Sequence, residues 1–257
     1  MNTIQDKWGN SVLDNGLRAK GELFFDENAP KILAPSEVIN QFTDYVKYPR
    51  TLHLPWSAGI QNDDRVMSNL AAFVGARVIV TEKMDGENTS LYRDHFHARS
   101  IDSQHHPSRN WCKNFWAQMA HNIPEGWRVC GENLYAKHSI AYQALESFFN
   151  GFSVFNEYNK CLSWDDTVEW FELLGIQPVP ILYDGIFEED VIQSLYKPTH
   201  DWHQCEGYVV RIADGFPYTA FNRSVAKYVR VAHVQTTKHW RHGQEVVPNK
   251  LKFSTAN

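Results

Sequence analysis

Apolar positions come in three kinds of run along this chain. Arg77-Val78-Ile79-Val80-Thr81-Glu82-Lys83 is β-branched and predicts a strand. An Asp85-Gly86 turn follows, and then a second strand near Thr89 to Tyr92. Between Ser108 and His121, Trp111, Phe115 and Met119 recur every four residues and predict a helix whose stripe faces the core. Further strands are expected at about Trp127 to Leu134, Phe152 to Glu157, Gly207 to Ile212 and Ser224 to Val231. A helical stretch is expected over Ser139 to Phe148. Another should start at Ser163, with Asp166 completing a capping box, and end at Gly175. Strands and helices do not alternate strictly, so the predicted class is α+β with mostly antiparallel sheets flanked by helices.

Residues 1–47 are weakly periodic and read as an N-terminal extension or small subdomain, with a helix candidate after Ser36. Pro49 to Trp56 is an extended lead-in to a main domain over 48–240, and 241–257 forms a C-terminal tail. A hydrophobic content of 43% is ample for a core and excludes a disordered or fibrous chain. The N-terminus has no apolar signal-like run, and Ala71 to Val80 is short and broken by Arg77, which points to a cytoplasmic protein without a membrane span. Cys112, Cys130, Cys161 and Cys205 lie far apart and read as buried free thiols.

A formal net charge of −5 argues against a nucleic-acid partner, but the charge is polarised. Asp165 to Asp190 holds eight carboxylates and no Lys or Arg, whereas Arg223 to Lys252 holds seven Lys or Arg against Glu245 alone. Two solvated faces would give the same pattern; so would a basic face that attracts phosphate. His95, His97, His105 and His106 lack a set of partner ligands for zinc.

Lys83-Met84-Asp85-Gly86 alone would be a solvated lysine beside a common turn. An ordered set follows it: Ala98-Arg99-Ser100, Cys130-Gly131-Glu132-Asn133-Leu134-Tyr135, Phe152-Ser153-Val154-Phe155, Cys205-Glu206-Gly207-Tyr208-Val209-Val210-Arg211 and Ala226-Lys227-Tyr228-Val229-Arg230. Over about Tyr48 to Trp240 this series resembles the nucleotidyltransferase motifs of the covalent ligase and capping-enzyme superfamily. It is most similar to the ATP-dependent RNA ligases of phages and bacteria.

The resemblance implies a nucleotidyltransferase (adenylyltransferase) domain that takes ATP and Mg2+ or Mn2+. Lys83 would be the nucleophile that becomes AMP-linked, which needs an uncharged amine and hence a pKa lowered by burial or nearby cations. Arg99 would hold a phosphate or ribose oxygen, and Glu132 would accept a hydrogen bond from the ribose. Phe155, or Phe152 in its place, would stack on adenine. Glu206 would hold the metal, with Asp85 reaching it through water, and Lys227 would neutralise the α-phosphate. His138 would orient substrate or nucleotide, or else is a satisfied core histidine.

Many relatives carry Lys-x-Lys in the last motif, where this chain has Val225-Ala226-Lys227; Arg223 or Arg230 would replace the missing charge. The substrate implied is RNA with 3′-hydroxyl and 5′-phosphate ends, joined in RNA repair, and the partner implied is an end-healing kinase-phosphatase that would prepare those ends. A DNA ligase or mRNA-capping guanylyltransferase would use the same lysine chemistry. Those enzymes usually append an OB-fold after the last motif, whereas about 17 residues follow Trp240, so no C-terminal OB-fold is expected. A non-catalytic nucleotide- or RNA-binding module would have lost Lys83, Glu132, Glu206 or Lys227.

Overall fold

A computed structural model describes residues 45–196, 205–231 and 246–252, together with four short strands nearer the N-terminus. Those strands form two hairpins, β1 (Thr3–Gln5) with β2 (Ser11–Leu13) and β3 (Phe25–Asp26) with β4 (Ala29–Ile32). The helix expected after Ser36 lies outside the described residues, as does most of the basic stretch beyond Arg230.

The remaining strands are β5 (Leu52–His53), β6 (Arg77–Lys83), β7 (Glu87–Leu91), β8 (Phe96–Ala98), β9 (Arg128–Asn133), β10 (Phe149–Phe155), β11 (Lys160–Cys161), β12 (Gln177–Pro178), β13 (Ile181–Ile186), β14 (Gly207–Ile212), β15 (Phe216–Pro217) and β16 (Val225–Val229). They form a five-stranded sheet in the order β13-β6-β14-β16-β5 and a seven-stranded sheet in the order β15-β11-β10-β9-β7-β8, with β12 beside β10. All pairings in the two sheets are antiparallel except β16 with β5 and β10 with β12. The α+β class and its mostly antiparallel sheets are therefore as expected.

Alternation decides what each face of the five-stranded sheet does. Val78, Val80, Tyr208, Val210, Ala226 and Tyr228 point one way into a core shared with Leu54, Phe73 and Ile192. Thr81, Lys83, Val209, Lys227 and Val229 point the other way and floor a cavity. The seven-stranded sheet packs a second core around Phe149, Val154, Phe171 and Leu174. To it the helix α1 (Asn110–Met119) contributes Cys112 and Met119, with Trp111 and Phe115 partly buried against it, as the four-residue spacing requires. The helix α2 (Trp164–Leu174) is capped by the Ser163 hydroxyl, which accepts the Asp166 N–H at 3.1 Å, and ends at Gly175 in the left-handed region.

The Asp85-Gly86 turn joins the two strands expected on either side of it, and it carries the chain from β6 in one sheet to β7 in the other. Gly86 is required there by close approach: a Cβ would sit 2.6 Å from the Asn133 carbonyl oxygen and 2.9 Å from Leu134 Cδ2. One local expectation fails: Ser139 to Phe148 is not helical. Its backbone groups are taken by distant partners: the Ile140 N–H donates to Asp85, the Tyr142 N–H to Asn249 Oδ1 and the Leu145 N–H to the Lys250 carbonyl. N–H groups engaged in this way are not available for i→i−4 bonds. Part of the C-terminal tail, residues 246–252, thus runs along this loop, with Asn249 Nδ2 donating to the Leu134 carbonyl at 2.7 Å.

Candidate active site

The two sheets wall a cavity of about 480 Å³. Lys83 ends β6 and lies directly opposite Gly207 in the ladder with β14. Gly207 has φ +155°, and a Cβ on it would lie 2.0 Å from the Tyr228 carbonyl oxygen, so only glycine lets β14 start this close to β16. That start places Glu206 against Lys83: the Lys83 Nζ donates to Glu206 Oε2. Lys227 comes from β16, opposite Val209 and beside His53 of β5.

The seven-stranded sheet supplies the opposite wall. Glu132 on β9 faces Asn88 on β7 across the ladder, and both line the cavity. The Glu132 carboxylate accepts the Gly86 N–H at 3.2 Å, so the interstrand turn ties the two walls together. The Asn88 Oδ1 is buried without a hydrogen-bond partner. Arg99 follows β8, is exposed, and lines this cavity at its rim.

The sequence motifs therefore bring Lys83, Arg99, Glu132, Glu206 and Lys227 to one cavity. Asp85 does not line the cavity; it lies close enough to act on the charge of Lys83, receives the Ile140 N–H at 2.7 Å, and its own N–H donates to the Tyr142 hydroxyl at 2.9 Å. His138 Nδ1 lies 3.9 Å from Asp85 Oδ1. Phe155 is not brought there. It is fully buried, edge-on to Tyr48 and beneath the Arg128 guanidinium at 4.0 Å, whereas Phe152 lines the cavity. Residues three apart on a strand face opposite ways, and the bulge at Gly151 and Ser153 sets which one turns inward.

Arg223 and Arg230 do not line the cavity either; Arg223 is exposed, and Arg230 is buried and donates to the Cys205 carbonyl at 2.9 Å. Arg50, which sequence reasoning passed over as part of an extended lead-in, does line it. It donates to Asp63 and Asp64 at 3.0 and 3.3 Å, and Asp64 lies 3.2 Å from His53 Nε2 and 3.9 Å from Lys227 Nζ. Asp64 thereby gathers two cations and a histidine at one end of the cavity. Burial opposes its charge, but the Gln61 N–H, His53, Lys227 and Arg50 hold its carboxyl below the usual range.

The field inside this cavity is set by crowded carboxylates. Burial alone would lower the Lys83 pKa, yet Glu206, Glu132 and Asp85 outweigh it and leave the amine more basic than usual. That is the reverse of the lowering expected from the sequence, and it describes the protein without nucleotide. Glu132 is pushed up to about 8 by burial, aided by Glu206 and Asp85 and opposed by Lys83. Asp85 is raised by burial and by Glu206. Lys227 is lowered, by burial and then by Lys83. The arrangement has basic side chains at one end, three carboxylates around one lysine, and an aromatic wall of Phe152 and Trp164. It can take a ligand that is apolar at one end and polyanionic at the other, provided a cation offsets the carboxylates.

The sequence model of the RNA ligase family matches residues 76–229, which is more than half of the chain and includes every motif lysine and glutamate named above. The chain belongs to the RNA ligase family. Its structure is similar to that of a Naegleria gruberi RNA ligase with PPi, at 16% identity over 72% of this chain and 57% of that one, TM-score 0.45. It is also similar to an archaeal ATP-dependent RNA ligase, at 14% identity over 89% of this chain and 58% of that one, TM-score 0.47. The chain thus spans under two thirds of the length of either. Comparison with curated protein sequences gives no match. Among the described residues of this RNA ligase family member, no three His, Cys, Asp or Glu gather as a metal-ligand group, and no helix is long and apolar enough to cross a membrane.

Proposed function

We propose that this chain is an ATP-dependent RNA ligase that joins 3′-hydroxyl and 5′-phosphate ends through a lysyl-AMP at Lys83 and then an RNA-adenylate. The observation that carries the reading is the convergence of Lys83, Glu206, Glu132 and Lys227 on one cavity, inside the span that matches the family. ATP fits the polarity of that cavity. Its adenine would pack against Phe152 and Trp164, its ribose would meet Glu132 and Arg99, and its phosphates would meet Lys227 and Arg50. The adenine role expected of Phe155 passes to Phe152, and the second charge absent from the last motif is supplied by Arg50.

The Lys83 amine attacks the α-phosphorus and pyrophosphate leaves. The phosphoramidate is then attacked by an RNA 5′-phosphate, and a 3′-hydroxyl displaces AMP from the activated end. Charge spreads over phosphate oxygens at each step, so fixed cations such as Lys227 do most of the stabilising. Two carboxylates near Lys83, Glu206 and Asp85, fit Mg2+ or Mn2+, which favour one or two carboxylates plus water and phosphate. Such a cation, when bound, would cancel the field that keeps Lys83 protonated and would draw charge from the phosphates. Glu206, already bonded to the ammonium, orients the lysine in the resting protein. Under this reading the protein works in the cytoplasm in RNA repair, on ends prepared by a kinase-phosphatase.

Four nicked duplexes, differing only in ribose or deoxyribose on each side of the break, test the assignment. Sealing should be fastest when the 3′-hydroxyl nucleotides are RNA, because the neighbouring 2′-hydroxyl distinguishes the sugars there and small misalignments of the attacking oxygen cost about 100-fold. Equal rates on an all-DNA nick would overturn the choice of RNA.

A further inference from the structure

Arg77 and Arg50 each lie between two aspartates, with different geometry. On the surface, Arg77 grips Asp184 through Nε and Nη2 at 2.7 and 2.8 Å, and Asp165 through Nη1 and Nη2 at 2.7 and 3.1 Å. At the cavity, Arg50 reaches Asp63 and Asp64 through Nη2 alone, at 3.0 and 3.3 Å. The other cation on Asp64, Lys227 Nζ, stands off at 3.9 Å. His53 Nε2 lies 3.2 Å from the same carboxylate, yet it makes no hydrogen bond among the described residues although its side chain is only 2% exposed. The Gln61 N–H, at 3.1 Å, gives Asp64 its shortest bond. Asp64 is thus held by surrounding positive charge more than by directed side-chain bonds, and it lines the end of the cavity assigned above to phosphates.

We infer that Asp64 is a displaceable counter-ion: it occupies the cations of the phosphate end in the empty protein, yields them to ATP, and by reclaiming them helps to expel pyrophosphate once AMP is on Lys83. The inference rests on reading this cavity as the nucleotide site. An anion at this end takes over Arg50, Lys227 and the unsatisfied Nε2 of His53, each of which now faces Asp64. A phosphate group has enough oxygens to make directed bonds to all three, where the carboxylate leaves Lys227 and His53 without one. Asp64 stays close by when displaced. Its turn is fixed beside β5 by the His53 N–H on the Arg65 carbonyl and the Met67 N–H on the His53 carbonyl, both at 2.8 Å. Repulsion between Asp64 and bound polyphosphate therefore persists and weakens the binding of ATP and pyrophosphate alike. For ATP the contacts of adenine and ribose offset that cost. Pyrophosphate has no such contacts and is weakened most. This matters because AMP loading is reversible: pyrophosphate that lingers can attack the phosphoramidate, forming the P–O bond of ATP as the P–N bond breaks, while the Lys83 amine takes a proton from water. A carboxylate that competes with pyrophosphate favours the loaded protein.

The test is calorimetric titration of the full chain with pyrophosphate and, separately, with adenosine, at fixed pH, salt and Mg2+. Asp64→Asn keeps an acceptor for the Gln61 N–H and removes the charge. It should bind pyrophosphate about tenfold more tightly than the wild type, with adenosine affinity within about twofold. In AMP loading, pyrophosphate should halve the loaded fraction of the variant at about a tenth of the concentration the wild type needs. Asp64→Glu restores the charge and should return both values toward the wild type. A purely structural role would move adenosine and pyrophosphate together. Unchanged or weaker pyrophosphate binding by Asp64→Asn would overturn the proposal, and so would an equal gain for adenosine. Should Asp64→Asn bind neither ligand, Asp64→Ser, whose hydroxyl also accepts a hydrogen bond, is judged by the same comparison. Failure of the wild type to bind adenosine or to take up AMP would instead count against the nucleotide and ligase reading, since the pyrophosphate titration needs no catalysis.

Discussion

Glu87 and Glu132 occupy neighbouring strands of the same sheet, one residue out of register, and have opposite environments. Glu87 is 6% exposed and gripped by both forks of the Arg109 guanidinium. Glu132 faces the cavity, accepts the Gly86 N–H, and has its carboxyl pushed up to about 8 by burial and by Glu206 and Asp85. A buried acid that has its own arginine holds the fold. One whose nearest charges are a lysine and two more acids suits the ligand-binding role proposed above, and the crowding of those acids adds to the burial that raises its carboxyl.

The largest effect on stability should follow from breaking the Glu87 pair. Arg109→Ala removes both guanidinium bonds to a buried carboxylate and should cost about 3–5 kcal/mol, measured by urea unfolding. A loss under about 1 kcal/mol would mean that Glu87 takes up a proton or finds water at little cost, and the contrast with Glu132 would dissolve.

A smaller loss is expected from the strap that fixes the loop beneath Asp85. Asn249 is 5% exposed and bonds the Leu134 carbonyl and the Tyr142 N–H. Asn249→Ala strands those groups and should cost about 1–3 kcal/mol. It should also raise the divalent-cation concentration needed for AMP loading, because Tyr142 and Ile140 orient Asp85. Stability lost with the cation requirement unchanged would show that the strap does not reach the site.

The smallest stability effect belongs to Glu132. Burial holds its carboxyl up to about 8 in the folded protein, above the ordinary glutamate value of 4.5, so the stability tied to its protonated form is complete below about 4.5 and is lost as pH rises through about 8. Without nucleotide or divalent cation, the thermal midpoint of the wild type should therefore fall between pH 5 and 8.5 more than that of Glu132→Gln. Parallel profiles would show that Glu132 titrates normally. With ATP, the same variant should load AMP slowly despite its intact fold.

The sequence made some of this legible and hid the rest for physical reasons. The β-branched runs at Arg77–Lys83 and Gly207–Ile212, and the Ser163 cap, are local signals that local structure obeys. The helix expected over 139–148 does not form because backbone partners of that segment, Asn249 and Lys250, lie about a hundred residues on. Asp85-Gly86 gives one turn signal whether the chain folds back or crosses to another sheet. Phe155 and Phe152 differ by a bulge that no spacing rule carries. Arg50 and Asp64 belong to no motif quoted above, and the parallel pairing of β5 with β16 helps bring their segment to Lys227.

Lys83 is the residue proposed above to form the covalent bond to AMP. Incubation with α-labelled ATP and Mg2+, then acid quench and peptide mapping, tests it directly. An acid-stable label should be confined to the peptide that contains Lys83, be released on adding 5′-phosphorylated RNA, and be absent from Lys83→Ala. Label on another residue, or persistence of label in Lys83→Ala, would contradict it.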